Sequence, residues 1–478
     1  MSAPVTLLIL GAGGDLTKRL LLPGLASLLA HHDHDVTVIG AGLDDEVRDS
    51  WTSLVADAMH RAADDRRVDG RSGDAEASDR VAGDAASTQR LVESTRYITA
   101  DATDPDALRD LLAACTGTPV IYFALPPAVT ARVCDALQEL DLPAGTRLAL
   151  EKPFGVDEES ARALNERIAT LVPENQVFRI DHFLGKSTVL NILGLRLANR
   201  ILEPVWDARS LERVEIVFDE TLGLEGRAGY YDKSGALVDM IQSHVLEVLA
   251  IIAMEPPPRV DEVELRDNVA QVLRNTELWH DDPTRSARRA RYSAGTIGDR
   301  TLPSYADEEG VDPSLSTETL AEVTVRVRTR RWDDVPFVLR SGKALGEKRS
   351  QARLVLRPVS PIVGIEGTPT EQTIVLDLMT GDVEMQLTMN GGGDPFRLEQ
   401  SELVAHQDAG DLLPYGEVLR GILDGDPMLS IRGDVAEQCW RIVAPVIDAW
   451  RRGDAPLDEY EAGSDGPAGW HGAGPGIG

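Results

Sequence analysis

The sequence predicts an α/β domain built on a doubly wound parallel sheet, followed by a larger α+β domain with a mainly antiparallel sheet. Three observations lead there. The chain has 478 residues, too many for one hydrophobic core, because single domains stop growing at roughly 250–300 residues. Its first part alternates short apolar runs that end in glycine with helix-like stretches, the mark of a parallel sheet with crossover helices. After about residue 205, strand-like runs follow one another without regular helices between them.

In chain order, Val5 to Leu10 is an apolar run closed by Gly11, and Leu20 to Leu29 carries helical spacing, so this reads strand, loop, helix. Further strands are expected at Val36 to Ile39, at Pro119 to Leu125 ahead of Pro126 and Pro127, and at Leu148 to Leu150. Residues 62–90 hold no aromatic side chain and consist mostly of Ala, Asp, Arg, Gly and Ser, which reads as a mobile surface insertion. In the second part, strands are expected at Val214 to Phe218, Glu322 to Arg328, Ala352 to Leu356 and Thr373 to Leu378. An apolar helix from Leu237 to Met254 is stopped by Pro256, Pro257 and Pro258. The stretch after Gly463 is rich in glycine and reads as a frayed tail. No internal repeat is visible, which sets aside solenoids and propellers.

Charge narrows the function classes. The chain carries 48 basic against 79 acidic side chains, a net charge of −31, and such a surface repels nucleic acid and anionic membranes. The same field repels phosphorylated small molecules, so a site for them must concentrate positive charge locally. Cys115, Cys134 and Cys439 form no Cys-x-x-Cys, which points to reduced thiols rather than zinc or disulfides. No basic segment precedes the first apolar run and no uninterrupted apolar run approaches the roughly 20 residues of a membrane span. A cytoplasmic protein is expected.

Several segments carry chemistry. Gly11-Ala12-Gly13-Gly14-Asp15-Leu16 lies between the first strand and helix, where backbone amides and a helix N-terminus hold a pyrophosphate in Rossmann-type domains. Leu16 stands where the common fingerprint has its third glycine, and a turn of this kind is as often purely structural; the flanking strand and helix favour the binding role. Lys152, in Glu151-Lys152-Pro153-Phe154-Gly155, falls at the C-terminal edge of a strand, where such sheets place ligands, or it merely caps that edge. Arg179-Ile180-Asp181-His182-Phe183-Leu184-Gly185-Lys186 puts a carboxylate, an imidazole and an ammonium within six residues. If it is helical, His182 and Lys186 share a face. His244, on the apolar helix, reads by itself as a satisfied core histidine.

In this order and spelling the segments resemble the glucose-6-phosphate dehydrogenase family. The likeness continues through Tyr122 to Pro127, Tyr230 to Asp239, Ala253 to Pro257, Ser316 to Thr319, Val335 to Lys343 and Gly463 to Pro467, leaving out only residues 62–90. Only six basic residues are lysine, namely Lys18, Lys152, Lys186, Lys233, Lys343 and Lys348. Each falls in or beside a matching segment, as expected where a compact ammonium is needed and a guanidinium fork does not fit.

The resemblance implies oxidation of D-glucose 6-phosphate at C1 to 6-phospho-D-glucono-1,5-lactone, with hydride transfer to NADP and no metal, as the first step of the oxidative pentose phosphate pathway. It implies His244 as the base and Asp181 as its orienting carboxylate. His182 and Lys186 match phosphate-binding positions, while Glu220 and Asp239 match acceptors for sugar hydroxyls. Lys343 and Lys348 match further substrate contacts, and Lys152 a residue bridging substrate and nicotinamide. Gly11, Gly13, Gly14, Asp15 and Leu16 match the cofactor loop. The implied organisation is a dinucleotide-binding domain over 1–180, a substrate-binding and dimerisation domain over 181–463 and a tail over 464–478, assembled as a homodimer or homotetramer.

Three positions depart from the family pattern. The second strand usually ends near an arginine that grips the 2′-phosphate of NADP, whereas here Ile39-Gly40-Ala41-Gly42 is followed by Leu43-Asp44-Asp45. Acids at that place suit the free ribose hydroxyl of NAD, so NAD use or dual specificity is expected beside the NADP default. Leu20 replaces a lysine. Phe183 replaces a tyrosine whose hydroxyl would reach the sugar phosphate, a loss of roughly 1.5–3 kcal/mol for a charge-assisted hydrogen bond. Two other readings are an NAD-preferring dehydrogenase of a related sugar phosphate and a catalytically silent sensor; retention of Asp181, His244 and the matching lysines argues against the second.

Overall fold

The computed structural model describes residues 4–68, 89–361, 363–367, 369–408, 410–470 and 474–477. They form two compact units. The first joins Met1–Lys186 with Arg259–Arg266 and Gly410–Glu437, and the second joins Ser187–Pro258, Asp267–Ala409 and Gln438–Gly478.

The first unit is a six-stranded sheet of β1 (Val5–Leu10), β2 (Val36–Gly42), β3 (Arg96–Thr99), β4 (Thr118–Phe123), β5 (Arg147–Leu150) and β6 (Val177–Arg179). Their order is β3-β2-β1-β4-β5-β6, and every pair is parallel. This is the doubly wound topology, whose switch point falls between β1 and β4. All six residues of β1 are buried, the continuous apolar run expected of a strand covered on both faces. One face is packed by Leu22–Leu29 and by the distant helix Pro414–Asp424. Their close approach depends on Gly24, where a Cβ would lie 2.6 Å from the Cβ of Tyr415.

The second unit holds a ten-stranded sheet. Its strands are β7 (Leu211–Asp219), β8 (Thr276–Leu278), β9 (Ala287–Ser293), β12 (Leu320–Val327), β13 (Pro336–Gly342), β14 (Arg349–Leu356), β15 (Thr373–Asp377), β16 (Val383–Asn390), β17 (Leu398–Ala405) and β18 (Leu457–Glu461); β10 (Gly295–Ile297) and β11 (Arg300–Leu302) form a separate hairpin. Most neighbours run antiparallel, but β7 lies parallel to β13 and β9 parallel to β18.

Four sequence expectations are corrected here. The apolar segment from Leu20 opens as a π-type turn, Thr17–Leu21, before becoming an α-helix at Leu22–Leu29. The helix Asp45–Val68 runs into the stretch read as an insertion, and residues 89–94 are helical again; positions 69–88 lie outside the described residues. The tail does not fray at Gly463. Trp470 is buried, its indole donates to Asp458 at 2.9 Å and Arg288 stacks on its ring at 4.6 Å, so an aromatic anchor ties the segment to the second unit's core.

The fourth concerns the apolar helix. The helical stretch Ala228–Ala253 is long and apolar enough to cross a membrane by length and composition, but 78% of its apolar window is buried inside the protein. It is not one regular helix. Gly235, at φ 62° and ψ 179°, breaks it, and Leu237–Val245 is π-type before α-helix resumes at Leu246–Ala253. At Gly235 a Cβ would lie 2.2 Å from an oxygen of Glu318. Glu318 is buried and accepts a hydrogen bond from the Leu237 backbone N–H at 3.0 Å, satisfying a donor at the head of the π-type segment.

Burial pushes the Glu318 carboxyl up to about 7, so the folded state holds its proton to higher pH than the unfolded chain. Stability from this group is therefore full below about 4.5 and is lost as pH rises through about 7. Glu318→Gln keeps an acceptor for Leu237 without the charge. Its thermal unfolding midpoint is expected to gain on the wild type between those pH values, by at most ~3 kcal/mol in stability. A pH-independent difference between the two proteins would refute the assignment.

Candidate active site

In the first unit the site is built where strands end. β5 and β6 pair with Leu150 opposite Arg179, and the residues that follow them carry the polar groups. Lys152 Nζ lies 2.8 Å from Asp181 Oδ2, and Asp181 Oδ1 accepts from the Phe183 N–H at 2.9 Å. Asp181 is fully buried and the Lys152 side chain partly so, which screens the cation–carboxylate pair less than open water would. Arg179 fixes the end of β6. Its guanidinium binds Glu174 at 2.7 Å and Asn165 at 2.8 Å, and its backbone bridges Ile431.

The segment 181–185 is a run of tight turns, not a helix, so His182 and Lys186 are not brought together by helical periodicity. Phe183 does it instead. Lys186 Nζ sits 3.9 Å from its ring centroid, and the His182 ring centroid is 5.0 Å from it. The phenylalanine that departs from the family's tyrosine thus provides an apolar and cation–π support for the ammonium.

Tyr415 was not identified from sequence. It stacks on His182 with centroids 5.9 Å apart and planes 16° from parallel. Its hydroxyl donates to Glu151 at 3.2 Å, and Tyr122 donates to the same oxygen. Burial raises the Glu151 carboxyl and pushes both phenols up, with the Glu151 charge adding to the effect on each. Since Tyr415 lies hundreds of residues downstream on a helix that reads as ordinary core packing, no local pattern marked it.

The glycine-rich loop has the form a dinucleotide needs. Gly11 has φ +80°, and a Cβ there would lie 2.3 Å from the carbonyl oxygen of Ala124, so only glycine fits. A groove of about 590 Å³ is lined by Gly11, Gly13, Gly14, Leu43, Asp44 and Tyr97 among others. Asp15 and Leu16 open the helix that leaves the loop. The groove is acidic at the end of β2. Asp44 caps the next helix through the Glu46 N–H at 2.9 Å, and Asp45 accepts from Thr99 at 2.9 Å. Arg48 is paired to Asp45 at 2.9 Å and to Asp49 at 3.3 Å, while Leu43 is exposed.

In the second unit, β7 and β13 run parallel with Asp219 opposite Gly342. The next residue of each strand is a predicted site residue, and Glu220 and Lys343 consequently form an ion pair. Lys343 is buried, 5.0 Å from the centroid of Tyr231, and its carbonyl accepts from Tyr460 at 2.6 Å. Lys348 is exposed in the connection to β14. Asp239 and His244 lie in the first and last turns of the π-type segment. An i to i+5 pattern brings residues five apart to one side, so the two share a side that a regular α-helix would split. Tyr230 is exposed as a residue, but partial desolvation of its hydroxyl, together with the charge of Asp239 to which it hydrogen-bonds, pushes its phenol up to about 12.

Glucose-6-phosphate dehydrogenase family models match both parts of the chain: the NAD binding domain over residues 8–191 and the C-terminal domain over 193–472. The glucose-6-phosphate 1-dehydrogenase of Gluconobacter oxydans is 36% identical, covering 97% of this chain and 94% of its own. That of Mycolicibacterium smegmatis is 34% identical with the same coverage. Among solved structures, the Mycobacterium avium glucose-6-phosphate 1-dehydrogenase superposes with a TM-score of 0.81 at 32% identity, covering 98% of this chain and 96% of that one. A glucose-6-phosphate dehydrogenase in complex with glucose 6-phosphate gives 0.83 at 26% identity, covering 98% and 97%. A doubly wound sheet with a fitted glycine loop, a second mixed sheet, and relatives more than 30% identical along nearly the whole length lead to one conclusion: this chain belongs to the glucose-6-phosphate dehydrogenase family.

Proposed function

We propose that His244 removes the C1 hydroxyl proton of D-glucose 6-phosphate, with Asp181 orienting the imidazole and stabilising its cation. The protein is an oxidoreductase of the pentose phosphate pathway, oxidising glucose 6-phosphate to 6-phospho-D-glucono-1,5-lactone. A bound nicotinamide dinucleotide supplies the hydride acceptor. The observation that carries the reading is the placement of Lys152, Asp181, Glu220 and Lys343 directly after strand ends, together with Asp239 and His244 on the π-type segment.

Imidazole is the side chain whose ordinary pKa suits proton transfer near neutrality. His182 and Lys186 hold the sugar phosphate, their positions fixed by Phe183 and Tyr415. Glu220 and Asp239 accept from sugar hydroxyls, with Lys343 beside Glu220 and Lys348 reaching in from the exposed connection. Lys152, held by Asp181, spans substrate and nicotinamide. No metal is required, because the base takes the proton and the dinucleotide takes the hydride. Gly11, Gly13, Gly14, Asp15 and Leu16 cradle the pyrophosphate. We also infer a cytoplasmic homodimer or homotetramer assembled through the second unit, where β16 and β17 at one side of the sheet expose Met389, Leu403 and Val404.

His244→Asn tests the base. Its kcat is expected to fall by about 10²–10⁴-fold while calorimetric binding of glucose 6-phosphate stays close to wild type. Near-normal turnover would sink the assignment, and absence of turnover in the wild type would favour a sensor role.

The cofactor choice follows from the acidic groove. The ribose end near Asp44 and Asp45 suits a free 2′-hydroxyl, so kcat/KM with NAD is expected to equal or exceed that with NADP. Leu43→Arg is expected to raise kcat/KM for NADP by about tenfold or more through a charge-assisted contact. A strong NADP preference in the wild type would mean that Arg48 leaves its two carboxylates to grip the phosphate.

A further inference from the structure

A second cavity lies wholly within the second unit, distinct from the residues assigned above. It measures about 820 Å³ and is lined by Arg196, Arg200, Arg209, Arg330 and Arg331 together with Trp206 and a few acids. Volumes of this size suit a small metabolite. Five arginines facing one cavity are unexpected in a chain of net charge −31.

Three of the five are neutralised locally. Arg331 grips Glu255 through Nε at 2.9 Å and Nη2 at 2.7 Å, Arg209 binds Asp207 through Nε at 2.9 Å, and Arg200 pairs with Glu203. Those are the only acids lining the cavity, so Arg196 and Arg330 remain as excess charge. Arg330 is exposed at the rim. Arg196 is only 3% exposed, and neither Nη1 nor Nη2 has a hydrogen-bond partner among the described residues.

A buried guanidinium fork without acceptors is costly, since each unmade bond leaves a desolvated donor. Its Cζ lies over the Trp206 ring, 6.0 Å from the centroid, an approach that does not satisfy its N–H groups. Trp206 is in turn fixed by donation to the Ile252 carbonyl at 3.0 Å. Burial and the neighbouring Arg331 lower Arg196 to about 10, which still leaves it cationic at neutral pH.

We propose that this cavity is a binding site for a small oxyanion carrying phosphoryl or carboxylate groups, taken bidentately by Arg196 and closed at the rim by Arg330. Planar forks match both chemistries bidentately, whereas an ammonium binds them as a point charge. The site is separate from the lysine-based machinery assigned to the reaction, and such an anion would act as an effector.

The test is calorimetric titration of the full chain with sodium pyrophosphate at fixed ionic strength, under saturating glucose 6-phosphate and reduced nicotinamide dinucleotide, so that the substrate's phosphate positions and the dinucleotide loop are both filled without turnover. Parallel titration with citrate separates the two sources: tighter pyrophosphate points to a phosphorylated effector and tighter citrate to a polycarboxylate, and both support the site. Arg196→Met and, at the exposed rim, Arg330→Glu are each expected to weaken saturable binding by about tenfold or more. Unchanged affinity in the variants, or no saturable binding of either anion to the wild type, overturns the proposal. The rim variant keeps the test decisive should the buried one fail to fold.

Discussion

Lysine–carboxylate pairing is the constraint on which the site depends. A chain this acidic has to hold a phosphorylated sugar and a dinucleotide, yet it places very few lysines. Two of them are individually fixed by an acid, Lys152 by Asp181 and Lys343 by Glu220. A buried ion pair is weak evidence for stability, because desolvation offsets much of the attraction. What such a pair supplies is position. An ammonium on a flexible stem acquires a fixed location, and the carboxylate beside it is held in turn.

Both units present these pairs by the same device. In open parallel sheets, ligands gather beyond the carboxyl ends of the strands. Lys152 and Asp181 follow β5 and β6 in that way. The second sheet is mostly antiparallel, where neighbouring strands end at opposite edges, but its β7–β13 pair is parallel. Two chain segments therefore leave that sheet at one edge and one level, and these segments begin with Glu220 and Lys343. One parallel pair inside a mixed sheet thus reproduces locally the geometry that the doubly wound sheet has throughout.

What could be read from the sequence follows from how local each signal is. Strand positions were legible because parallel strands buried on both faces are continuous apolar runs. Lys152, Asp181 and Lys186 were legible because they lie in compact segments at strand ends. The condition under which His182 and Lys186 would share a face, a helix there, does not hold, and periodicity cannot show that an aromatic ring between them packs against both. Tyr415 gave no signal, and the matching segments that hold Glu318 and Tyr231 gave no sign of what these two touch, because each acts through contacts with residues far away in sequence. The tail was misjudged for a related reason: glycine content predicted fraying, but one tryptophan with a cavity to fill outweighs many glycines. The arginine cavity was invisible because arginine is this chain's default cation, and only burial separates Arg196 from the rest.

The element carrying His244 is also where local structure is least regular. A left-handed glycine, a π-type segment and, packed against them from far along the chain, a buried carboxylate of raised pKa meet at one place. Each is unfavourable alone, and π-type geometry in particular gives up regular helical bonding. Their combination has a consistent logic. The left-handed turn at Gly235 lets Glu318 approach the helix end, and Glu318 satisfies the Leu237 N–H that the break exposes. The segment beginning there can then adopt the wider winding that turns Asp239 and His244 to the same side. A regular α-helix through this segment would place Asp239 and His244, five positions apart, on different sides. The irregularity is located where it turns two polar side chains of an otherwise apolar segment, Asp239 and His244, toward one side.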